Sequence, residues 1–160
     1  GPGALFIRGK SESLWGDYPA QEYVGFTKDP AIYFPGNTGT GGIRENMNLR
    51  GWNNYATGDQ LLYFTSEIRI PIIPNLPANV LGITIGDISG ALFTDSGLVW
   101  NRGSDAGKPI LTAGYELKYA WKLGGSPLFY TSMGYAQELS GWEDGNKPTY
   151  YVRYALVNPF

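Results

Sequence analysis

The sequence contains no cysteine and no histidine, and it has only two methionines. Without cysteine there is neither a disulfide framework nor thiolate chemistry, and without histidine the Ser-His-Asp triad and the usual zinc ligands are excluded. The formal net charge of −2 provides no basic surface for nucleic acid. We therefore expect no cofactor, no metal site and no nucleic-acid partner.

Long hydrophobic runs are also missing, although 42% of the residues are hydrophobic. No run approaches the roughly 20 apolar residues of a membrane helix. The 23 glycines and 11 prolines, with little helical periodicity, indicate many strands and turns. Twelve Tyr and five Trp suit a boundary between water and lipid, since each has an apolar body and a polar tip. Composition thus predicts an all-β protein, either a soluble β-sandwich or a membrane barrel.

The end of the sequence reads as an alternating strand that stops on an aromatic residue. Counting back in steps of two gives residues that are apolar except at position 158, namely Phe160, Leu156, Tyr154, Val152 and Tyr150. Strict alternation places these side chains on one face of a strand. About ten such residues can cross a bilayer at a tilt. We predict that this segment closes a membrane barrel, because no sheet edge can face lipid.

The chain is expected to form one domain with three parts. Residues 1–16 are predicted to hold the end of an upstream strand, residues 17–59 to form a long loop, and residues 60–160 to form five strands. Loops of such length inside a compact domain tend to be functional. The five strands are expected at Gln60 to Ile72, Asp87 to Trp100, Leu111 to Trp121, Leu128 to Leu139, and the C-terminal segment.

The third of these segments separates the alternatives best. It alternates between an apolar set that includes Tyr115, Leu117 and Trp121 and a more polar set that includes Glu116 and Lys118. A soluble strand that is half buried would also alternate. Aromatic residues on one side and a charged pair on the other favour a barrel with a lipid-facing exterior and a polar lumen.

Four motifs, taken in order, resemble the C-terminal part of the BamA/TamA superfamily of outer-membrane β-barrels, also called bacterial surface antigens. The first, Leu49-Arg-Gly-Trp52, follows a glycine-rich loop, and the others are Ser66-Glu-Ile-Arg-Ile-Pro71, Leu92-Phe-Thr-Asp-Ser-Gly-Leu-Val-Trp100 and Lys147-Pro-Thr-Tyr-Tyr151. The last, with Phe93-Thr-Asp-Ser-Gly97, is most similar to members whose barrel follows a TolB-like β-propeller. The resemblance covers about residues 31–160.

This resemblance implies the last strands of an antiparallel transmembrane β-barrel in the bacterial outer membrane. It implies that Arg50, Gly51 and Trp52 form a loop lock in the lumen, with Glu67 and Asp95 as carboxylate partners of Arg50. An arginine fork can satisfy two carboxylates at once, which would hold the loop in place. The expected function is non-enzymatic, in outer-membrane assembly, translocation or transport.

The resemblance also implies partners. Five or six strands cannot close a barrel, since the smallest membrane barrels have about eight. We therefore expect N-terminal strands from the same parent protein or from a second chain. The lipid bilayer is the other expected partner, with periplasmic or surface proteins as further candidates.

Three alternatives remain open from the sequence. A soluble β-sandwich could bind carbohydrate through Trp15, Trp52 and Trp142. Glu67 and Asp95 could form the acid pair of a glycoside hydrolase, although a neighbouring arginine would keep both ionised. As the alternative to the loop lock, Arg50 is a solvated loop residue and Glu67 pairs locally with Arg69. Residues 142–146 lack the spacing of a calcium loop and favour a turn.

Overall fold

Strands form all of the regular secondary structure in the described part of this chain. The computed structural model describes residues 3–15, 23–26, 43–47, 49–52, 54–74, 76, 78–80, 83–123, 126–141 and 148–156. The strands are β1 (Ala4–Ser13), β2 (Tyr23–Phe26), β3 (Ile43–Met47), β4 (Ala56–Gly58), β5 (Gln60–Ile73), β6 (Ala78–Val80), β7 (Ile83–Trp100), β8 (Ile110–Leu123), β9 (Ser126–Glu138) and β10 (Thr149–Leu156). The prediction of an all-β fold is confirmed.

The main sheet is antiparallel throughout and has the order β1-β5-β7-β8-β9-β10, with β6 paired to β7. From β7 to β10 each strand pairs with the next long strand in the sequence, as in a meander. β1 instead pairs with β5 across the whole of residues 14–59, from Ala4 opposite Arg69 to Ser13 opposite Gln60. The long segment 17–59 is therefore inserted between two neighbouring strands of one sheet.

The two faces of the main sheet differ sharply in polarity. The outer face, defined here by Ile68, Leu92 and Leu117, carries a row of paired residues that crosses six strands, namely Leu5, Ile68, Leu92, Tyr115, Tyr135 and Tyr150. All six strands expose large hydrophobic side chains on this face, and Ile68 keeps 50% of its surface accessible. The inner face carries Glu67, Asp95 and Glu116, all of them buried.

The inserted segment differs from the expected loop. Within the described residues of 17–59, β2, β3 and β4 form a second sheet in the order β3-β2-β4, parallel between β2 and β3 and antiparallel between β2 and β4. Strands of three to five residues are too short to display a clear alternation in sequence. Their backbone groups nevertheless need partners beside a sheet, which the small sheet provides.

Some strand boundaries also differ from the sequence expectation. β1 lies within the expected residues 1–16, whereas β7 begins at Ile83 instead of Asp87 and forms a short hairpin with β6 there. β10 is described to Leu156, so Phe160 lies outside the described residues. In the described ranges, no helix is long and apolar enough to cross a membrane.

Candidate functional site

A tight turn at the end of the inserted segment lies against the inner face of the main sheet. The backbone N–H of Trp52 donates to the carbonyl oxygen of Leu49 at 3.1 Å, which closes the turn. Gly51 adopts a φ of 81°, in the left-handed region where other residues are disfavoured. A Cβ atom at Gly51 would also lie only 2.5 Å from the Cβ of Ala136 on β9. Because it has no side chain, glycine at position 51 lets the turn approach β9 closely.

The turn points Arg50 at Asp95, which is fully buried on β7. Its Nε and Nη2 donate to the two carboxylate oxygens at 2.8 and 2.7 Å, and its backbone N–H donates to Oδ2 at 3.1 Å. One carboxylate thus binds both the side chain and the main chain of the turn. Such paired, charge-assisted hydrogen bonds fix orientation as well as position.

The other N–H groups of the Arg50 guanidinium and its flat side also have partners. Nη1 donates to Glu67 at 2.8 Å on β5 and lies 3.5 Å from a carboxylate oxygen of Glu116 on β8. Nη2 donates to the hydroxyl of Thr65 at 3.1 Å. The guanidinium carbon lies 3.5 Å from the centre of the Phe93 ring, a cation–π contact. Side chains from three strands of the main sheet, β5, β7 and β8, therefore contact Arg50.

Glu67 connects Arg50 to two further cations. Its Oε1 accepts hydrogen bonds from Arg69 at 2.9 and 2.7 Å and from Lys118 at 2.7 Å, and Lys118 also lies 3.4 Å from Glu116. We call Arg50, Thr65, Glu67, Arg69, Asp95, Glu116 and Lys118 the Arg50 cluster. Its three cations and three carboxylates balance in formal charge.

Charge balance matters because the centre of the cluster is buried. Removing a charge from water is costly, and the cost is offset only when partners and hydrogen bonds are well placed. Burial alone would lower the pKa of the Arg50 guanidinium, but its hydrogen bond to Asp95 and the charges of Asp95 and Glu116 raise that pKa above the ordinary value. Arg50 is therefore charged at neutral pH.

An apolar group of side chains packs next to the cluster on the same face. The inserted segment supplies Phe26, Leu49 and Trp52, all fully buried, and they pack with Leu61, Tyr63 and Ile110 of the main sheet. Gly97 on β7 makes room for them, since a Cβ there would lie 2.5 Å from the Phe26 ring. The segment is thus held both by a charged site and by an apolar one.

Between the cluster and β1 lies an open cavity of about 440 Å³. Its lining is polar on one side, with Glu67, Arg69 and Lys118, and partly apolar on the other, with Phe6 and Ile7. Among the described residues, no group of three or more Asp, Glu, His or Cys side chains is arranged to hold a metal ion.

The structure brings together the loop residue and both carboxylates that the sequence singled out. Arg50, Glu67 and Asp95 are in direct contact, and Gly51 and Trp52 belong to the same turn. Trp52 is buried, so it is not available for stacking on a sugar, whereas Trp15 is exposed and contacts Arg102. Residues 142–146, including Trp142, lie outside the described residues.

The predicted residues of the C-terminal strand pair with every second residue of β9. Tyr150 lies on the outer face with 75% of its surface accessible, and Val152 pairs with Met133 of the same face. Tyr154 and Leu156 pair with Thr131 and Phe129 of β9 by register. Whether this strand closes a barrel stays a prediction.

Sequence reasoning did not assign four residues that contact Arg50 or its partners, namely Thr65, Phe93, Glu116 and Lys118. The alternation of the strand did indicate two of them, because Glu116 and Lys118 lie on its polar side. Strand parity alone does not say which inner-face residues meet, since that depends on the register between strands.

Comparisons with known proteins add no relatives to this picture. No family model matches this chain, and neither curated proteins nor solved structures include a match. The geometry of the Arg50 cluster and the two faces of the sheet are therefore the basis of the functional proposal.

Proposed function

We propose that this chain is the C-terminal part of a BamA/TamA-type outer-membrane β-barrel, with the turn around Arg50 locked inside the lumen. One observation carries the proposal. Arg50 binds Asp95 and Glu67 on the inner face of a sheet whose outer face is apolar and exposed. A soluble sheet buries its apolar face and exposes its polar face to water. A membrane barrel does the reverse, with a polar lumen and an apolar exterior.

The height of the apolar outer face supports contact with lipid. On β5 the outward side chains from Leu62 to Ile72 are exposed or half-buried, and all but Ser66 are apolar. Ten residue steps at about 3.3 Å each give roughly 33 Å, which a strand tilt of about 40° reduces to roughly 25 Å. That value equals the usual height of the apolar band of outer-membrane barrels.

Aromatic side chains on the outer face support the same environment. Tyr115 stacks on Tyr135, with ring centres 5.4 Å apart, and Tyr135 meets Tyr150 edge to face at 5.3 Å. Toward the other end of the strands, Trp121 stacks on Phe129 at 5.5 Å. Tyr and Trp rings of this kind are favoured near the boundary between lipid and water.

The proposed role is non-enzymatic, and it requires further strands to complete the barrel. In the described part of the chain, β1 and β10 each pair on one side only. Since no open edge is tolerated in lipid, further strands from the parent protein or a second chain would complete the barrel. The complete barrel would serve assembly, translocation or transport at the bacterial outer membrane, with the locked turn narrowing the lumen.

Fractionation of the source cells tests this proposal directly. Membranes are washed with alkaline carbonate, and peptides of this chain are followed by mass spectrometry. We expect them in the outer-membrane pellet, together with peptides of the remaining wall. Release into the soluble fraction would contradict the proposal and leave the carbohydrate-binding β-sandwich as the function to pursue.

A further inference from the structure

One row of residues on the inner face joins the C-terminal strand to the Arg50 cluster. Gly134 of β9 pairs with Glu116 of β8 on one side and with Tyr151 of β10 on the other. All three positions point inward, and both Glu116 and Tyr151 are buried. The row therefore runs from the centre of the cluster to the outermost described strand.

Because Gly134 has no side chain, Tyr151 and Glu116 can make contact across β9. The Tyr151 ring lies across β9 directly over Gly134, where a Cβ would be 2.6 Å from the ring and 2.9 Å from the Cγ of Glu116. Any larger side chain at this position would occupy the path of the ring. The Tyr151 hydroxyl consequently reaches over one strand and donates to Oε1 of Glu116 at 2.5 Å.

The same oxygen of Glu116 faces Arg50. Oε1 lies 3.5 Å from Nη1 of Arg50, while Oε2 lies 3.4 Å from Nζ of Lys118. Glu116 thus receives a proton donor from β10 and two cations from within the cluster. Loss of the hydroxyl would leave a buried carboxylate oxygen less well satisfied, which disfavours the charge that attracts Arg50.

We propose that Tyr151 and Glu116 are positioning residues that couple the placement of β10 to the locked turn. The inference rests on the proposed function, in which the turn is held by Arg50. When β10 is seated on β9, Tyr151 stabilises Glu116 and thereby Arg50; when β10 leaves, the turn is held less tightly. Coupling of this kind is reciprocal, so release of the turn also loosens β10.

The test compares two substitutions of the same kind on adjacent residues. Tyr151→Phe removes only the buried hydroxyl, whereas Tyr150→Phe removes an exposed hydroxyl from the outer face of the same strand. Amide hydrogen exchange is measured by mass spectrometry on the complete membrane protein. We expect Tyr151→Phe to accelerate exchange at residues 49–52 by about tenfold, as the loss of a hydrogen bond to a charged group implies, and Tyr150→Phe to leave it unchanged.

Two results would overturn the coupling. One is equal exchange at residues 49–52 in both variants. The other is equal acceleration along β5 and β7, which would indicate general destabilisation rather than a local link. Glu116→Gln provides a second variant, since it keeps an acceptor for Tyr151 but loses the charge facing Arg50. It should accelerate exchange at residues 49–52 more than at residues 149–152, and the opposite ranking would contradict the proposed route.

Arg50→Ala separates failure of the inference from failure of the proposed function. We expect it to accelerate exchange at residues 49–52 and, by reciprocity, at residues 149–152. If Arg50→Ala leaves residues 49–52 unchanged, the lock itself is wrong. If Arg50→Ala loosens the turn but not β10, the lock stands and only the coupling fails.

Discussion

Arg50 is the residue on which the inner face converges. Its five N–H groups and its backbone N–H are directed toward Asp95, Glu67, Thr65 and Glu116, and its flat face rests on Phe93. The planar guanidinium holds its five donors in fixed directions, which here meet acceptors on three strands. The residue therefore contributes geometry as well as charge.

Arg50→Lys tests this geometric requirement. Lysine keeps the charge but cannot reproduce the fork, so we expect the free energy of unfolding to fall by about 1–3 kcal/mol. Arg50→Ala removes the cation that pairs with the buried Asp95 and should cost about 3–5 kcal/mol. Urea unfolding in detergent, followed by tryptophan fluorescence, measures both.

The matched control for Arg50→Lys is Arg8→Lys. Arg8 is exposed on β1, so the change there should stay within about 0.5 kcal/mol. Equal effects at Arg8 and Arg50 would mean that the fork does not stabilise the turn.

Gly51→Ala tests the close approach of the turn to β9. Gly103 has nearly the same φ, 82°, but nothing lies within 4 Å of where its Cβ would be. Gly103→Ala should therefore cost only the backbone strain of about 1–2 kcal/mol. Gly51→Ala adds the clash with Ala136 and should cost about 1–3 kcal/mol more. Equal losses in the free energy of unfolding would show that the turn does not press against β9.

At the scale of the element, β8 separates two environments along its whole length. Its outward residues include Tyr115 and Leu117, both exposed, and its inward residues include the buried Glu116. Lys118, also inward, reaches Glu67 two strands away. The apolar outer side of this strand suits surroundings less polar than water, as in the proposed barrel.

Leu117→Arg and Leu123→Arg make the same change at two depths of β8. Leu117 lies near the middle of the strand and Leu123 at its end. In a bilayer we expect a cost of about 2–4 kcal/mol for Leu117→Arg and about 0–1 kcal/mol for Leu123→Arg. Unfolding titrations in lipid vesicles give both values. Equal costs would argue against a bilayer around this face.

At the scale of the whole molecule, one sheet carries exposed apolar side chains on its outer face and the Arg50 cluster with part of the inserted segment on its inner face. Two of the tryptophans among the described residues lie on opposite faces, since Trp121 lies on the outer face and Trp52 is buried on the inner face. The positions of the two faces relative to lipid can therefore be read from fluorescence.

Single-tryptophan variants provide this measurement. Each variant keeps one tryptophan, replaces the others by phenylalanine, and is reconstituted with its complete wall into vesicles whose acyl chains carry bromine. Bromine quenches indoles that touch the chains, so we expect quenching of Trp121 and none of Trp52. Quenching of Trp52 instead would mean that the faces are reversed, and quenching of neither would favour a soluble sandwich.

The sequence predicted the faces of the long strands well, because strict alternation over ten or more residues assigns each side chain to a side. It also singled out Arg50, Glu67 and Asp95, which are in contact in the structure. The link between Glu116 and Tyr151 was not predictable, since it depends on the register of three strands and on the missing side chain at Gly134.

The strands β2 to β4 escaped prediction for a different reason. Each is shorter than the window over which periodicity can be recognised. Their pairing arises from the position of the segment against the main sheet, where Phe26 is buried among residues from several strands. Tertiary contacts, rather than local preference, decide such short strands.

The pairing of β1 with β5 across residues 14–59 has a consequence for the order of folding. The entropy lost on closing a loop grows with its length, so neighbours joined by short connections pair sooner than distant ones. The pairs from β5 to β10, whose connections are short, are expected to form first, and β1 pairs with β5 last. Asp95 and Glu67 are thus in place before β1 pairs with β5. The turn at Arg50 can therefore bind these carboxylates before the rest of the inserted segment has folded.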